Sequence, residues 1–454
     1  MTIWIPTLPD GVQNKYEAIA EAIGADIASE VLKPGQKLPT QRELAKRLSV
    51  TIGTVGRAYA LAEKRGWVTL EVGRGSFVRT FEARTDVTGQ SKNVDLGLNL
   101  PPMTQHPELF ARTLAQLSNS RPVATLFGSA PVASFQQHRI SAARWLGDRI
   151  CCSAEDVLIC SGTQNALVAT LASVTSPGDS VLVEELTFPG MIAAGRLLHL
   201  RLVPVAMDDQ GILPAELARA AKKSGVLYCI PTNQNPTSAT MSLKRRQEIA
   251  EVSTKKKLVI IEDDVYGKLV ENAPAPIASL IPDQSFLICS LSKTMAVGLR
   301  IAYVRVPIAH RDAMIANLRA SNFFPPPLMC EIATNWIDNG TANQLLIELR
   351  ATARRRQQIA REVFGKLSVR GEPDGNHIWI NLPENWTAEL LVRAASENGV
   401  NLYSAAAFAV DGSRNLNAVR LALGSARDEA ELRSGLNVVA RLLLEKAEQV
   451  SAKY

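Results

Sequence analysis

The sequence predicts an α/β protein in two parts, a small head of three helices and a hairpin and a much larger body with a mostly parallel sheet. Its 454 residues are too many for one ordinary domain. From about Val94 onward, short apolar runs alternate with helical patterns, as at 156–160, 180–183, 225–230 and 258–261. In a sheet of this kind, ligands bind where the parallel strands end.

Composition excludes several classes of protein. Hydrophobic residues make up 46% of the chain and charged residues 21%, as in globular proteins with a large core. No apolar run is long enough to cross a bilayer, and the N-terminus lacks the pattern of a secretory signal. The six cysteines show neither metal-ligand nor disulfide spacing, and the five histidines are scattered. We therefore expect a cytoplasmic protein with no metal site and no membrane association, whose net charge of +6 permits nucleic-acid binding without demonstrating it.

Helical periodicity and capping residues predict the three helices of the head. An apolar stripe predicts the first helix over 15–31. Thr40 is placed to cap the second helix, with Glu43 as its capping-box partner. Thr51 is placed in the same way to cap the third.

Two short strands complete the head. The segments 67–72 and 73–78 alternate like strands joined by a glycine turn, so residues 1–80 are predicted to form a winged helix-turn-helix. The segments 34–45, 50–55 and 73–78 resemble the GntR family of bacterial regulators. The resemblance implies that double-stranded promoter DNA is a partner.

The resemblance also implies which residues touch DNA. Hydroxyls and free amides at the start of the third helix suit phosphate, and an arginine at the wing tip suits a narrow minor groove. Ile52 stands where many family members carry an arginine that reads guanine, so base readout falls to Arg42 or Arg57 and the operator is not predicted. The candidate DNA-binding residues are Arg42, Thr51, Gly53, Thr54, Arg57, Gly73, Arg74 and Gly75.

A polar stretch without periodicity, 81–93, is predicted to be a flexible linker. The body then covers 94–454, with a small C-terminal subdomain from about residue 320. Two basic runs in the body, 255–257 and 354–356, are interpreted as solvated helix faces, with a DNA-tracking surface as the alternative.

Lys293 is the candidate catalytic residue. It follows the apolar run 285–289, and desolvation at the end of a buried strand lowers the pKa of a lysine. A neutral amine is what Schiff-base chemistry requires. The hydroxyls of Ser290 and Ser292 and the guanidinium of Arg300 are donors that suit a phosphate. The alternative is a surface lysine near a helix start, and this segment alone does not decide between the two.

The lysine segment resembles that of pyridoxal phosphate enzymes of the aspartate aminotransferase fold, also called fold type I. Four further motifs precede the lysine segment in the chain, in the same order as in that family, at 161–167, 185–190, 231–237 and 262–266. The resemblance implies a large and a small domain and pyridoxal 5'-phosphate as cofactor. It assigns the cofactor contacts to Gly162, Thr163, Gln164, Phe188, Asn235, Asp263, Tyr266, Ser290, Ser292, Lys293 and Arg300.

Individual roles in this set are also implied by the resemblance. Lys293 would form the internal aldimine, and Phe188 would stack on the pyridine ring unless it is a core residue. Asp263 would protonate the pyridine nitrogen, with Asp264 as the near alternative. Arg420 resembles the arginine that binds a substrate or effector carboxylate, for which its two-pronged side chain is suited.

A GntR-like head joined to an aminotransferase-like body resembles the MocR/GabR family of transcriptional regulators. The resemblance implies a homodimer that binds promoter DNA and responds to pyridoxal phosphate together with a small amino effector. Two alternatives remain: a sensor of pyridoxal phosphate alone, and a working aminotransferase with an accessory DNA-binding domain. Ser129 and Ser134 stand where many members have tyrosine and glycine, which weakens the enzyme alternative.

Overall fold

The computed structural model describes residues 4–6, 8, 14–29, 31–33, 35–65, 67–71, 75–78, 93–102, 107–120, 135–365, 367–410 and 416–444. The chain divides into two compact units, Met1–Ser91 and Lys92–Tyr454, which we call the head and the body.

Three helices and a hairpin form the head, which confirms the predicted winged helix-turn-helix. The two strands of the hairpin pair antiparallel, and Lys37 adds an isolated bridge to Phe77 in the second strand. The elements are α1 (Lys15–Ala28), α2 (Gln41–Leu48), α3 (Ile52–Lys64), β1 (Val68–Glu71) and β2 (Gly75–Val78).

Both predicted threonine caps are present. Oγ1 of Thr40 accepts a hydrogen bond of 3.3 Å from the amide of Glu43, and Oγ1 of Thr51 accepts one of 3.1 Å from the amide of Thr54. Each bond satisfies an amide that the first helical turn leaves without a partner. The end of α1 differs from the prediction, because the chain leaves the helix after Ala28 and buries Leu32 in the core of the head.

The body alternates strands and helices. Its strands are β3 (Val94–Asp95), β4 (Val157–Cys160), β5 (Ser180–Glu184), β6 (Arg201–Val205), β7 (Met207–Asp208), β8 (Gly211–Ile212), β9 (Val226–Cys229), β10 (Val259–Asp263), β11 (Ser285–Ser290), β12 (Ala302–Arg305), β13 (Val369–Arg370), β14 (His377–Asn381), β15 (Val400–Asn401), β16 (Tyr403–Ser404) and β17 (Ala418–Ala422). Its helices are α4 (Pro107–Ser120), α5 (Gln136–Leu146), α6 (Thr163–Val174), α7 (Pro189–Leu197), α8 (Pro214–Ala220), α9 (Leu243–Lys256), α10 (Ile277–Leu280), α11 (Arg311–Asn322), α12 (Pro327–Asp338), α13 (Thr341–Phe364), α14 (Ala388–Glu397) and α15 (Glu429–Leu444).

A seven-stranded sheet lies at the centre of the body, in the order β4-β12-β11-β10-β9-β5-β6. Strand β12 runs antiparallel to β11 and β4, and the other neighbours run parallel. All six residues of β11 are buried, as expected for a strand covered on both faces. The carboxyl ends of the parallel strands, and the residues that follow them, therefore lie at one edge of the sheet.

A second sheet, β13-β14-β17-β16, belongs to the small subdomain. Beside it, β15 pairs in parallel with β3, so that Val400 lies opposite Val94 and Asn401 opposite Asp95. Leu96 is fully buried in the same core as the sheet and α15. The small subdomain is thus not confined to residues after 320, since the first strand of the body is part of it.

The interpretation of 354–356 as a solvated helix face is wrong for Arg356. This side chain is only 4% exposed and donates to the carbonyls of Leu423 and Ala426, at 2.6 and 3.0 Å from Nη1. Its neighbour Arg355 is exposed. The lysines of 255–257 are exposed, as predicted.

Within the described ranges, no helix combines the length and the apolar character that crossing a membrane requires. The same residues contain no cluster of three or more His, Cys, Asp or Glu side chains placed to bind a metal ion. Four of the six cysteines, Cys160, Cys229, Cys289 and Cys330, are buried free thiols, whereas Cys151 is exposed.

Candidate functional site

A cavity of about 510 Å³ opens at the carboxyl ends of the central strands. It brings together residues predicted from motifs that are far apart in the sequence: Thr163, Gln164, Phe188, Asn235, Asp263, Tyr266, Ser292, Lys293, Arg300 and Arg420. Gly162 and Ser290 are outside its lining. The rest of the lining comes from Gly97, Leu98, Asn99, Leu100, Pro189, Ile230, Val265, Val297, Tyr403 and Ala407.

Lys293 follows β11 and extends its amine into this cavity, where it donates a hydrogen bond to the main-chain carbonyl of Asn99. The surrounding protein lowers the pKa of Lys293 to about 8, because burial disfavours the ammonium form. The positive charges of Arg420 and Arg300 act in the same direction, and the carboxylate of Asp263 opposes them. A substantial fraction of the amine is therefore neutral near physiological pH.

The two adjacent carboxyl groups after β10 have different surroundings. Asp263 accepts a hydrogen bond of 2.8 Å from the Tyr228 hydroxyl at Oδ2, while its buried Oδ1 has no partner among the described residues. Burial raises the pKa of Asp263 to about 7. Asp264 instead pairs with Arg149. Of these two carboxyl groups, only that of Asp263 lines the cavity.

Arg420 enters the cavity from β17, between two aromatic rings. Its guanidinium carbon lies 4.8 Å from the ring centre of Phe408 and 5.7 Å from that of Tyr403. Nη1 donates a hydrogen bond of 2.8 Å to Oδ1 of Asn235, Nη2 donates to the carbonyl of Gly97, and Nε has no partner in the part of the chain that the structure describes. Because Oδ1 of Asn235 accepts from Arg420, the remaining polar group of that amide is its nitrogen, a donor.

A second group of residues, at and beside the cavity lining, supplies hydrogen-bond donors. Gly162 has a φ of +85° and precedes α6, and a Cβ at this position would lie 3.0 Å from Nη2 of Arg300. Ser292 lines the cavity with a hydroxyl that has no partner among the described residues. Ser290 is placed differently from its neighbour, since its buried hydroxyl accepts a hydrogen bond of 3.1 Å from the amide of Ser292. A guanidinium, a hydroxyl and the start of a helix together favour an anion.

Sequence reasoning missed two polar residues of the site, Asn99 and His377. The amide nitrogen of Asn99 lies 2.9 Å from the Tyr266 hydroxyl and 3.1 Å from Nδ1 of His377. The segment around Asn99 has no pattern that marks it as functional. His377 lies on β14, and only the fold brings its ring to that of Tyr266, with 5.8 Å between the ring centres.

The donor set fits pyridoxal phosphate. The free Oδ1 of Asp263 is an acceptor suited to a protonated ring nitrogen, and the amide nitrogen of Asn235 and the hydroxyl of Tyr266 are donors suited to a phenolic oxygen. Arg300 and Ser292 suit the phosphate, and Lys293 supplies the amine.

On the head, the described DNA-candidate residues are mostly exposed. The hydroxyls of Thr51 and Thr54 lie 2.8 Å apart and are already joined by a hydrogen bond. Arg42 and Arg57 are both exposed, and the guanidinium of Arg57 lies 5.7 Å from the ring centre of Tyr16. Gly53 is exposed, and Gly75, at a φ of +123°, begins β2. Gly73 and Arg74, like Ser129 and Ser134, lie outside the described residues.

Comparisons with known proteins match the two units separately. Residues 15–78 match the gntR family of bacterial regulatory proteins, and residues 92–439 match the aminotransferase class I and II family. Over nearly its full length the chain is similar to the HTH-type transcriptional regulator YdeF of Bacillus subtilis, with 31% identity over 97% of this chain and 96% of YdeF. The chain belongs to the MocR/GabR-type regulators.

Another relative of this MocR/GabR-type chain is the vitamin B6 salvage pathway transcriptional repressor PtsJ of Salmonella typhimurium, with 27% identity over 83% of this chain and 88% of PtsJ. Among solved structures, the kynurenine aminotransferase of Pyrococcus horikoshii superimposes with a TM-score of 0.72 and 24% identity, covering 85% of this chain and 98% of that chain. The α-aminoadipate aminotransferase LysN of Thermus thermophilus superimposes with a TM-score of 0.71 and 25% identity, covering 80% of this chain and 94% of LysN. These structural similarities establish an aminotransferase fold for the body.

Proposed function

We propose that this chain is a transcriptional regulator that binds double-stranded promoter DNA through its head and responds to pyridoxal phosphate through Lys293. The observation that carries the proposal is the convergence of Lys293, Asp263, Asn235 and Tyr266 in one cavity. These groups are complementary to the cofactor, and the same chain begins with a gntR-family head. We further propose that the regulator acts in the cytoplasm as a homodimer.

Each side chain has a definite task in this proposal. When bound, pyridoxal phosphate supplies an aldehyde that reacts with a primary amine and a ring that withdraws electrons. Lys293 provides the amine, and Asp263 holds a proton on the ring nitrogen. Phe188 covers the ring as a stacking partner, and Arg300 and Ser292 bind the phosphate.

A second ligand, an amino compound that carries a carboxylate, is favoured by Arg420. Its guanidinium faces the cavity from a buried position, and its Nε has no partner among the described residues. Such an effector would compete with Lys293 for the cofactor. It would change DNA binding only to the extent that it binds two arrangements of the protein with different affinity.

Two other functions use the same residues. The similarity to PtsJ, a vitamin B6 salvage pathway transcriptional repressor, supports a response to pyridoxal phosphate alone. The depressed pKa of Lys293 would also serve an aminotransferase, because a neutral amine is needed there too. Multiple turnovers with an amino donor and an oxo acid would favour the enzyme, whereas a single stoichiometric change that alters DNA binding would favour the regulator.

The first test is the pair Lys293→Ala and Arg42→Ala. Lys293→Ala should abolish the visible absorption band of the purified protein with its cofactor, while the exposed-lysine control Lys255→Ala should keep it. Arg42→Ala should weaken binding to promoter DNA at matched salt without altering the band, and the exposed body variant Arg112→Ala should change neither. A band that persists in Lys293→Ala refutes the role of the lysine, and unchanged DNA affinity in Arg42→Ala refutes the assignment of the head contact.

A further inference from the structure

A chain of hydrogen bonds, which we call the relay, links Tyr266, Asn99 and His377 beside the cavity. The side-chain nitrogen of Asn99 lies 2.9 Å from the Tyr266 hydroxyl and 3.1 Å from Nδ1 of His377. At the far end, Nε2 of His377 lies 3.0 Å from the main-chain carbonyl of Gln234. His377 is completely buried, and Tyr266 is 3% exposed.

The carbonyl of Gln234 fixes the direction of the whole chain. A carbonyl oxygen only accepts, so Nε2 of His377 carries a hydrogen. Burial lowers the pKa of His377 to about 3, and the charges of Arg420 and Lys293 act in the same direction. The ring is therefore neutral at physiological pH, and its Nδ1 is an acceptor. The group of Asn99 that faces Nδ1 must then be the amide nitrogen, which settles the orientation of that amide.

The second hydrogen of the same amide nitrogen points to the oxygen of Tyr266. Burial raises the pKa of Tyr266, so the phenol keeps its own proton. Because its oxygen already accepts from Asn99, that proton is directed to an acceptor on the cavity side, where Tyr266 forms part of the lining. We propose that Asn99 and His377 are positioning residues that direct the Tyr266 hydroxyl hydrogen into the cavity and thereby ease release of the proton from the Lys293 nitrogen once it is linked to the cofactor.

The second half of this inference rests on the proposed function, since it needs the bound cofactor. With pyridoxal phosphate bound, the Tyr266 hydroxyl would donate to the phenolic oxygen and stabilise negative charge there, which would favour loss of the proton from the nitrogen of Lys293. The other charged groups that act on this nitrogen are Arg420 and Arg300, which favour release of the proton, and Asp263, which opposes it. None of these three is altered by substitution of Asn99, so an effect of Asn99 has to pass through Tyr266 or through its main chain.

The first experiment needs no cofactor. Full-length protein labelled with ¹⁵N-histidine contains five histidines, and His377→Gln assigns the signal of interest. Between pH 5.5 and 8 we expect His377 to remain neutral with its hydrogen on Nε2. A hydrogen on Nδ1, or protonation of both nitrogens within this range, overturns the relay, because Asn99 would then have to accept from His377.

The second experiment titrates the visible band of the cofactor-bound protein. Asn99→Ala should raise the apparent pKa of the band by about one unit, because a less well directed Tyr266 hydroxyl would stabilise negative charge on the phenolic oxygen less. Tyr266→Phe should raise it at least as much, and the double variant should show no further rise. The exposed Asn343→Ala on α13 is the matched control and should titrate like the wild type. His377→Phe, which removes the acceptor for Asn99, provides a second route to the same shift if Asn99→Ala does not fold.

The outcomes separate the relay from the proposed function. An unchanged pKa in Asn99→Ala, or shifts of Asn99→Ala and Tyr266→Phe that simply add, would mean that Asn99 does not act through Tyr266. A wild-type protein that binds no pyridoxal phosphate would refute the proposed function, while the histidine spectrum would still decide whether the relay exists.

Discussion

Arg149 holds Asp264 through two hydrogen bonds, 3.0 Å from Nε to Oδ2 and 3.1 Å from Nη2 to Oδ1, and this pairing separates two carboxyl groups that are adjacent in the sequence. The side chains of both partners are almost completely buried. Asp264 therefore forms a buried, structural ion pair with Arg149. Asp263 keeps one oxygen available to the cavity.

The two aspartates should respond differently to the same substitution. Asp264→Asn would leave the buried charge of Arg149 without its anion and should lower the free energy of unfolding by about 3–5 kcal/mol, measured by urea denaturation. Asp263→Asn should affect unfolding less but weaken cofactor binding, measured by titration of the visible band. If Asp264→Asn lost the cofactor while keeping full stability, the assignment of the two residues would be reversed.

The reaction of Lys293 with pyridoxal phosphate should depend on pH in a characteristic range. Only the neutral amine reacts, and the pKa of Lys293 is about 8, so the initial rate should rise about tenfold per pH unit below 8 and level off above it. The measurement is the rate of band formation after cofactor is added to stripped protein. In Arg420→Gln the plateau should move to higher pH, because a positive charge that lowers the lysine pKa is gone. A wild-type rate that keeps rising to pH 10 would show an ordinary lysine.

The basic run on α13 offers a matched pair of variants. Arg356→Ala removes two buried hydrogen bonds and leaves the carbonyls of Leu423 and Ala426 without a donor, so the free energy of unfolding should fall by about 2–4 kcal/mol. Arg355→Ala breaks an exposed pair with Glu429 and an exposed hydrogen bond to Thr352, and should cost about 1 kcal/mol or less. Thermal or urea unfolding measures both. Weakened DNA binding by a fully stable Arg356→Ala would instead support a DNA-tracking surface.

Thr51 caps α3 and is also a candidate DNA contact, and substitutions can separate these roles. Thr51→Ala should destabilise the head by about 1 kcal/mol, whereas Thr51→Asn should preserve the cap. Thr40→Ala removes the comparable cap of α2 and controls for stability alone. Equal losses of DNA affinity in Thr51→Ala and Thr40→Ala would mean that the hydroxyl of Thr51 acts only through the helix, whereas a larger loss in Thr51→Ala would support direct contact with DNA.

Local features of the fold could be predicted from the sequence because they depend on neighbouring residues. The caps at Thr40 and Thr51 are confirmed, since each involves an amide only three residues away. The α/β class is also confirmed, because buried parallel strands leave apolar runs that helices separate. The error at Arg356 has a geometric reason: consecutive helical residues point about 100° apart, so one residue of a basic run can face the core while its neighbours face solvent, and the run alone does not show which.

The arrangement of the site could be predicted only in part. Motif order suggested that Asn235 and Arg420 belong to one site, but not that their side chains are hydrogen bonded. The choice between Asp263 and Asp264 depends on Arg149 and Tyr228, which no local pattern connects to them. Asn99 follows β3, and its contact with Tyr266, like the pairing of β3 with β15, joins distant parts of the chain.

That pairing of β3 with β15 also constrains how the body can assemble during synthesis. Val94 packs against α15 so closely that a Cβ on Gly435 would approach its Cγ1 to 2.9 Å. The first strand of the body therefore lacks both its strand partner β15 and the helix α15 that packs on it until the ribosome has synthesised residues 400–444. Domains generally fold as units during translation, so the head can fold early. The strand β3, which follows the head in the sequence, cannot pair until most of the body has been synthesised. Truncation near the C-terminus should accordingly impair the body from its first strand onward and leave a head that is still able to fold.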